Sequence, residues 1–191
     1  MPDMEDIQYY RSLDMPESDW KHIRDYILFD VIGNNDNPII SHTVNLSNYK
    51  IKLLLKQLIS ATLAKAGFEK CEAKSVILFG VPPNSKVNIH VDGYTADRKD
   101  SSNFALNIPI QHCEQGVMHW YKGAYTLEEG MTAEKLKHLK IKWDGEPELA
   151  YSKVIDSPCI VRVNTPHNVE NLSDHYRFIL SIRFTPDLAI H

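Results

Sequence analysis

Residues 166–184 read P-H-N-V-E-N-L-S-D-H-Y-R-F-I-L-S-I-R-F, and this stretch decides the fold. Its second half alternates strictly between two kinds of side chain. One set is Arg177, Ile179, Ser181 and Arg183, and the other is Phe178, Leu180, Ile182 and Phe184. A period of two is typical of a β-strand with one buried face. The stretch therefore predicts two strands joined by a turn at residues 171–174.

Two arginines, Arg177 and Arg183, lie on the polar face of the last predicted strand. Arginines on such a face are usually solvated, because charged side chains are rarely buried. Inside a barrel an arginine has another use, since its planar guanidinium can grip a carboxylate with two hydrogen bonds. The choice between these interpretations depends on a second stretch, residues 87–92, which reads V-N-I-H-V-D.

The composition predicts one globular domain spanning residues 1–191. The chain is 43% hydrophobic and 24% charged, which suits a sizeable core. No apolar run approaches eighteen residues and the first residues are acidic, so we expect a cytoplasmic protein without a membrane span. The net charge of -4 disfavours nucleic acid and anionic membranes as partners. The three widely spaced cysteines predict reduced thiols.

Helical periodicity is confined to the N-terminal part of the chain. Residues 1–68 predict an arm followed by two supporting helices. The first helix is predicted from residue 20 to about residue 29, with Ser18 or Asp19 as its cap. The second is predicted over residues 47–67, where apolar residues recur at helical spacing.

From residue 74 to residue 186 the period changes to two, which predicts a β core. The predicted strands are 75–81, 86–91, 103–110, 116–122, 150–156, 159–164, 167–171 and 176–184. Residues 123–148 interrupt the core as an insertion over one mouth of the barrel, with a short helix predicted at 132–139. Helices followed by about eight strands predict a mainly β fold with N-terminal helices: a double-stranded β-helix, or cupin-like jelly roll.

Alternation also assigns a polar face to several predicted strands. In residues 87–92, Asn88, His90 and Asp92 lie opposite the apolar set Val87, Ile89 and Val91. Further polar candidates are Asn107, His119, Tyr121 and Arg183. If the apolar faces pack under the helices and the partner sheet, the polar faces line a lumen. These four side chains then either support bound groups, contact a substrate or simply pack in the lumen.

The polar face of residues 87–92 has the spacing of a metal site. His90 and Asp92 point the same way and can occupy adjacent positions on one ion. His167 is the best-placed third ligand, because jelly-roll topology brings late strands beside early ones. Two imidazoles and one carboxylate suit non-haem Fe(II), whereas structural zinc prefers four closed ligands. The H-x-D pair alone is a weak motif, and its combination with a distant His and a later Arg is much stronger.

With these residues, the sequence resembles the 2-oxoglutarate- and Fe(II)-dependent oxygenases. Their double-stranded β-helix carries H-x-D…H for iron and a downstream basic residue for the cosubstrate. The C-terminal end is most similar to the aspartyl/asparaginyl β-hydroxylase branch, in which H-x-V-x-N is followed by an Arg ten residues after the His, within R-x-I-L. In this chain those positions are His167, Val169, Asn171, Arg177, Ile179 and Leu180.

The resemblance implies a dioxygenase that hydroxylates a peptidyl or free amino-acid side chain and releases succinate and CO2. It implies that His90, Asp92 and His167 hold Fe(II), and that Arg177 pairs with the distal carboxylate of 2-oxoglutarate. O2 and an unidentified substrate are the other expected partners. The chain departs from the branch in having Asp92 as a ligand, and in having Ala105 and Asn107 where the branch has an arginine. Peptidyl-aspartate hydroxylation therefore does not carry over.

Three alternatives remain open from the sequence. The first is a cupin-like protein that binds a metal or small ligand without turnover. The second is a structural jelly roll in which His90 and Asp92 occur together by chance. The third is an AlkB-like nucleic-acid demethylase, because residues 177–183 are similar to the R-x-N-x-T-x-R motif of that class, with Ile179 and Ser181 replacing its Asn and Thr. Neither of the first two alternatives requires Arg177.

Overall fold

A computed structural model of the chain is mostly antiparallel β-sheet. It describes residues 8–33, 43–45, 57, 59–62, 64, 72–92, 103–131 and 137–185. The strands within these ranges are β1 (Tyr10–Ser12), β2 (Thr43–Asn45), β3 (Glu72–Val81), β4 (Ser85–Lys86), β5 (Phe104–Gln111), β6 (Gly116–Lys122), β7 (Tyr125–Met131), β8 (Lys137–Trp143), β9 (Glu148–Val154), β10 (Cys159–Arg162), β11 (His167–Asn171) and β12 (Arg177–Thr185). Helix α1 spans Glu17–Tyr26, and a π-helical segment, Ile27–Ile32, continues it.

The strands form two larger sheets and a hairpin. The six-stranded sheet has the order β1-β10-β5-β12-β3-β2, and the four-stranded sheet has the order β4-β11-β6-β9. β7 and β8 pair only with each other among the described strands. β12 pairs antiparallel with both β3 and β5, so the last strand lies between two strands that are distant from it in the sequence.

The alternation predicted for the last strand is confirmed. Its apolar set, Phe178, Leu180, Ile182 and Phe184, belongs to a core that includes Trp20, Ile23 and Ile27 of the N-terminal helical region. On the other face of β12, Ile179 packs in a second core with Met118 and Trp120 of β6. The two sheets therefore face each other, and the helix covers the outer side of the six-stranded sheet.

Several helical and strand boundaries differ from the prediction, and three of the differences change the description of an element. Helix α1 begins at Glu17 with Pro16 as its N-cap residue, so the cap is neither Ser18 nor Asp19. Residues 137–139, predicted as helix, lie in strand β8, which is paired with β7. Strand β4 ends at Lys86, and beyond it His90 forms only an isolated bridge with His167. The strand predicted for residues 86–91 is therefore wrong. The strict alternation of side chains also fails there, because the neighbours Val87 and Asn88 both line the cavity between the sheets.

Parts of the prediction fall outside the described residues. Most of the second helix, residues 47–67, is in this group, although Ile59 and Thr62 are helical and buried. Cys71 is also outside, whereas Cys113 and Cys159 are free, buried thiols. Within the described ranges, no helix is long and apolar enough to cross a membrane.

The central position of Leu180 gives a direct test of the fold. Leu180 is 0% exposed in the core under helix α1, whereas Leu149 of β9 is 53% exposed. We expect Leu180→Ala to lower the free energy of unfolding by about 2–5 kcal/mol, because it removes buried methyl groups and leaves a cavity. Leu149→Ala should change it by no more than about 0.5 kcal/mol. Urea denaturation measures both, and equal losses would contradict the arrangement of the sheets.

Candidate functional site

A cavity of about 440 Å³ lies between the two sheets. Its polar lining consists of Asn88, His90, Asp92, Asn107, His167, Arg177, Ser181 and Arg183. The apolar lining consists of Phe79, Val81, Val87, Met118, Val163, Val169 and Ile179. The same cavity is therefore lined by all four side chains of the predicted metal and anion sites: His90, Asp92, His167 and Arg177.

Three potential metal ligands converge at one part of this cavity. The backbones of His90 and His167 form an antiparallel bridge, with an N–H···O distance of 2.9 Å in each direction. The Asp92 N–H donates to the Val163 carbonyl at 2.9 Å. As a result, one ligand atom from each of His90, Asp92 and His167 lies within 4.8 Å of the other two.

Backbone carbonyls fix which nitrogen each histidine presents. Nδ1 of His90 lies 2.8 Å from the Asn88 carbonyl, and Nδ1 of His167 lies 2.8 Å from the Thr165 carbonyl. A carbonyl oxygen can only accept a hydrogen bond, so each Nδ1 carries the proton. The lone pair of the neutral ring is then on Nε2, which points towards Asp92 in both residues. This is the arrangement by which proteins orient metal-binding imidazoles.

The charges of the three side chains suit a cation. Burial alone would raise the pKa of Asp92, but the Arg183 guanidinium and the neighbouring histidines outweigh burial and hold that pKa well below its usual range. Burial lowers the pKa of His167 to about 4, so this ring is neutral at pH 7. Burial also acts to lower the pKa of His90, but the hydrogen bond and charge of Asp92 outweigh it and raise that pKa. The site therefore offers an anionic carboxylate and a neutral His167, whereas His90 must release the proton that Asp92 favours before its Nε2 can bind a cation.

Arg177 is a buried cation that lacks a counter-charge among the described residues. Its side chain is 1% exposed, and neither Nε nor Nη1 has a hydrogen-bond partner within the described part of the chain. Burial lowers its pKa, which the nearby Cys113 and Cys159 thiols offset in part. Buried charges are normally paired, so this geometry suits an anionic ligand of the cavity.

The turn before β12 fixes the position of Arg177. The Asn171 side-chain amide donates to the carbonyls of Val81 at 3.0 Å and His175 at 2.8 Å. Ser173 N–H and Oγ–H both donate to Asn171 Oδ1. The buried amide thus ties the β11–β12 turn to the end of β3, two residues before Arg177. The two predicted strands are joined by a short connection, but it comprises residues 172–176, because Asn171 still belongs to β11.

Gly116 leaves the space that Arg177 fills. A Cβ atom added at Gly116 would lie 2.0 Å from Arg177 Nε and 2.3 Å from Cδ. Any larger side chain would therefore displace the guanidinium. Gly116 was not predicted as a site residue, because a glycine at the start of a predicted strand gives no signal that a side chain from a distant strand packs against it.

His119 and Tyr121 do not line the cavity, and their predicted placement in the lumen is wrong. His119 Nδ1 lies 2.7 Å from Ser152 Oγ, and its Nε2 lies 3.2 Å from Glu170 Oε2. The Tyr121 hydroxyl donates to Asn168 Oδ1 at 3.4 Å. Strand β6 turns the other face inward, where Met118 and Trp120 are buried. These two apolar side chains bury more hydrophobic surface, which decides the orientation of the strand.

Asn107 and Arg183 do line the cavity, together with Ser181. Ser181 Oγ donates to Asn107 Oδ1 at 2.7 Å, and Arg183 Nη1 donates to Ser181 Oγ at 2.5 Å. Arg183 Nη2 donates to Asp92 Oδ2. Asn107 and Arg183 were predicted from the sequence as site residues, but their partners were not, and Ser181 was not predicted to belong to the site.

Comparisons with known proteins agree with this fold. No family model and no curated protein matches the chain. Its structure is similar to that of EvdO2 from Micromonospora carbonacea var. aurantiaca, with a TM-score of 0.57, 16% identity, and coverage of 92% of this chain and 84% of EvdO2. It is also similar to SnoK, a non-heme alpha ketoglutarate dependent carbocyclase from nogalamycin biosynthesis, with a TM-score of 0.55, 14% identity, and coverage of 93% and 79%.

A third similar structure, EvdMO1, gives a TM-score of 0.53 at 15% identity over 92% of this chain. The chain spans about half, 47%, of the length of EvdMO1. At these identities the likeness shows the fold alone, and it confirms a mainly antiparallel β protein with few helices. The resemblance to the aspartyl/asparaginyl β-hydroxylase branch stays a prediction.

Nε and Nη1 of Arg177, which lack a partner among the described residues, lead to a prediction about stability. We expect Arg177→Met to raise the free energy of unfolding by about 1–3 kcal/mol, because it removes a buried charge that lacks full hydrogen bonding. Methionine is flexible enough to fill most of the same space. Thermal and urea denaturation of the ligand-free protein measure the change. A loss of stability would mean that Arg177 already has adequate partners.

The contact between Gly116 and Arg177 is testable with a double-mutant cycle. We expect Gly116→Ala to lower the free energy of unfolding by about 1–3 kcal/mol, since the added methyl group forces the guanidinium aside. In an Arg177→Met background the same change should cost less, because the shorter side chain can move away. Urea denaturation of the four proteins gives the coupling energy. Additive costs would show that the two residues do not compete for space.

Proposed function

We propose that this chain is a non-haem Fe(II)- and 2-oxoglutarate-dependent dioxygenase. In this proposal residues 1–191 form one domain built on a double-stranded β-helix, and the enzyme hydroxylates its substrate with release of succinate and CO2. The observation that carries the proposal is that one cavity contains both a His/Asp/His cluster and a buried arginine for which the described residues supply no counter-charge. A metal-binding protein without turnover would need only the cluster.

The donor set fits Fe(II). His90 and His167 present Nε2, and Asp92 supplies a carboxylate within 4.8 Å of both nitrogens. Two imidazoles and one carboxylate on one side of an ion leave positions for further ligands, and this set is typical of non-haem Fe(II) oxygenases. Within the described chain, no cysteine belongs to this cluster, which disfavours a closed structural zinc site.

The rest of the cavity fits a dicarboxylate. Arg177 would pair with the carboxylate of 2-oxoglutarate that is distant from the metal, and a fork of two hydrogen bonds would satisfy its free N–H groups. Apolar side chains such as Phe79, Val169 and Ile179 would contact the methylene groups. The volume of about 440 Å³ is within the range of small-molecule sites, about 300–1,000 Å³.

The protein contributes binding, orientation and exclusion of water to the reaction. When bound, Fe(II) supplies the chemistry that couples oxidative decarboxylation of 2-oxoglutarate by O2 to hydroxylation of the substrate. Arg177 fixes one end of the cosubstrate, and the mainly apolar walls keep water away from the reacting atoms. A peptidyl or free amino-acid side chain is the substrate class that the C-terminal resemblance to the aspartyl/asparaginyl branch supports.

The proposal is tested by anaerobic titration with Fe(II) and 2-oxoglutarate. We expect the wild-type protein to develop the visible charge-transfer band of the iron–2-oxoglutarate chelate. Asp92→Ala should abolish the band at matched concentrations, because a ligand is lost. Arg177→Ala should weaken 2-oxoglutarate binding about 10–150-fold, the value of losing about 1.5–3 kcal/mol of charged hydrogen bonding.

His119→Ala is the matched control, because His119 lies outside the cavity and should leave the band unchanged. Admission of O2 then separates catalysis from simple binding. Succinate released in the presence of 2-oxoglutarate supports an oxygenase. A wild-type protein that shows no band with Fe(II) and 2-oxoglutarate would end the proposal.

A further inference from the structure

A second cluster of polar side chains lies on the outer face of the four-stranded sheet, away from the cavity between the sheets. Ser152 of β9, His119 of β6 and Glu170 of β11 come from three adjacent strands. His119 Nδ1 lies 2.7 Å from Ser152 Oγ, and His119 Nε2 lies 3.2 Å from Glu170 Oε2. A hydroxyl, an imidazole and a carboxylate are thus joined in the order by which acyl-transfer enzymes activate a serine.

The carboxylate determines where the His119 ring carries its proton. An ionised glutamate can only accept hydrogen bonds, so the ring proton is on Nε2. Nδ1 then has the lone pair and accepts the hydrogen bond of the Ser152 hydroxyl. Lys86 Nζ lies 3.5 Å from the same oxygen of Glu170 and contacts it from the neighbouring strand β4. Glu170 therefore holds the ring in the form that can take the serine proton.

The pairing of β6 with β9 determines where the backbone of Ser152 points. The Ile155 N–H donates to the Gly116 carbonyl, so these two residues form a hydrogen-bonded pair. Hydrogen-bonded and non-hydrogen-bonded pairs alternate along an antiparallel ladder, which makes the His119/Ser152 pair a non-hydrogen-bonded one. In such a pair the side chains are closer, and the N–H groups point away from the partner strand. The Ser152 N–H therefore points to the side of β9 on which no described strand pairs.

Ser152 is accessible and lies beside a second cavity. The residue is exposed, whereas only 15% of the His119 side chain and 32% of the Glu170 side chain are exposed. A cavity of about 450 Å³ is lined by residues 148–151 of the same strand, together with Tyr9 and Tyr10. A small acyl group in this cavity would lie one residue away from Ser152. The Ser152 N–H can then donate to the carbonyl oxygen that becomes negative during attack.

We propose that Ser152, His119 and Glu170 form a second, metal-independent site that hydrolyses esters of small carboxylic acids. Ser152 Oγ attacks the ester carbonyl carbon while its proton passes to His119 Nδ1, and the alcohol leaves with that proton. Water then attacks the acyl-serine and gives a proton to His119 Nδ1. The acid is released as Ser152 Oγ takes this proton back. Glu170 stays ionised and holds the ring throughout. The site does not depend on the proposed function.

Hydrolysis of p-nitrophenyl acetate by EDTA-treated protein tests the proposal, because the release of p-nitrophenol is followed by absorbance. We expect Ser152→Ala to lower the rate above the buffer background by about 100-fold or more, the usual value of general base catalysis. Glu170→Gln should lower it by at least about tenfold, because the amide can donate to Nε2 and place the ring proton on Nδ1. The wild-type rate should rise with pH through one titration step, since only the neutral ring accepts a proton.

Ser12→Ala is the matched control, because Ser12 is an exposed serine in a strand of the other sheet and should be dispensable. Reaction of the wild-type protein with diisopropyl fluorophosphate, followed by peptide mass spectrometry, should place the label on Ser152. This measurement needs no variant and holds even if a variant is unstable. Equal rates for wild type and Ser152→Ala, a wild-type rate no greater than that of buffer, or a label confined to other residues would each overturn the proposal.

Discussion

The pairing of β12 with β3 and β5 at the same time is the constraint on which the site depends. One face of this strand packs Leu180 and Ile182 into the core under helix α1, and the other presents Arg177 and Arg183 to the cavity. The side-chain period of a strand is two, so a slip of one residue would exchange the faces. The hydrophobic core thus fixes the cavity arrangement as firmly as it fixes the fold.

The same strand also carries a buried charged side chain whose burial costs free energy. Nε and Nη1 of the buried Arg177 have no hydrogen-bond partner in the described part of the chain, and a side chain at Gly116 would occupy the space of the guanidinium. Arg183, by contrast, is paired with Asp92 and held by Ser181. Only one of the two buried guanidinium groups is therefore satisfied by the described chain itself. Features that lower stability in this way concentrate at functional sites, because evolution retains them for binding.

The alternation of side chains along one strand was sufficient to predict the features that depend on that strand alone. The alternation in residues 177–184 gave both faces of β12 correctly. The spacing of His90 and Asp92, with His167 added from the expected jelly-roll topology, led to a cluster that the structure brings together. In β6 the alternation also defined two faces, but both faces contain large side chains. Which face points inward is decided by the packing of Met118 and Trp120 against the opposite sheet. The contacts Gly116–Arg177 and Asp92–Arg183 join distant parts of the chain, so periodicity holds no information about them.

The β7–β8 hairpin is inserted between two strands that are already partners. β6 and β9 pair along their lengths, and Lys122 and Glu148, which flank the hairpin, lie opposite each other. The pairing of β6 with β9 does not depend on the hairpin, and a short turn could connect the same two strands. Exchange or shortening of this module would leave the cavity register intact. The surface that the hairpin presents can therefore change while the strands that line the cavity keep their places.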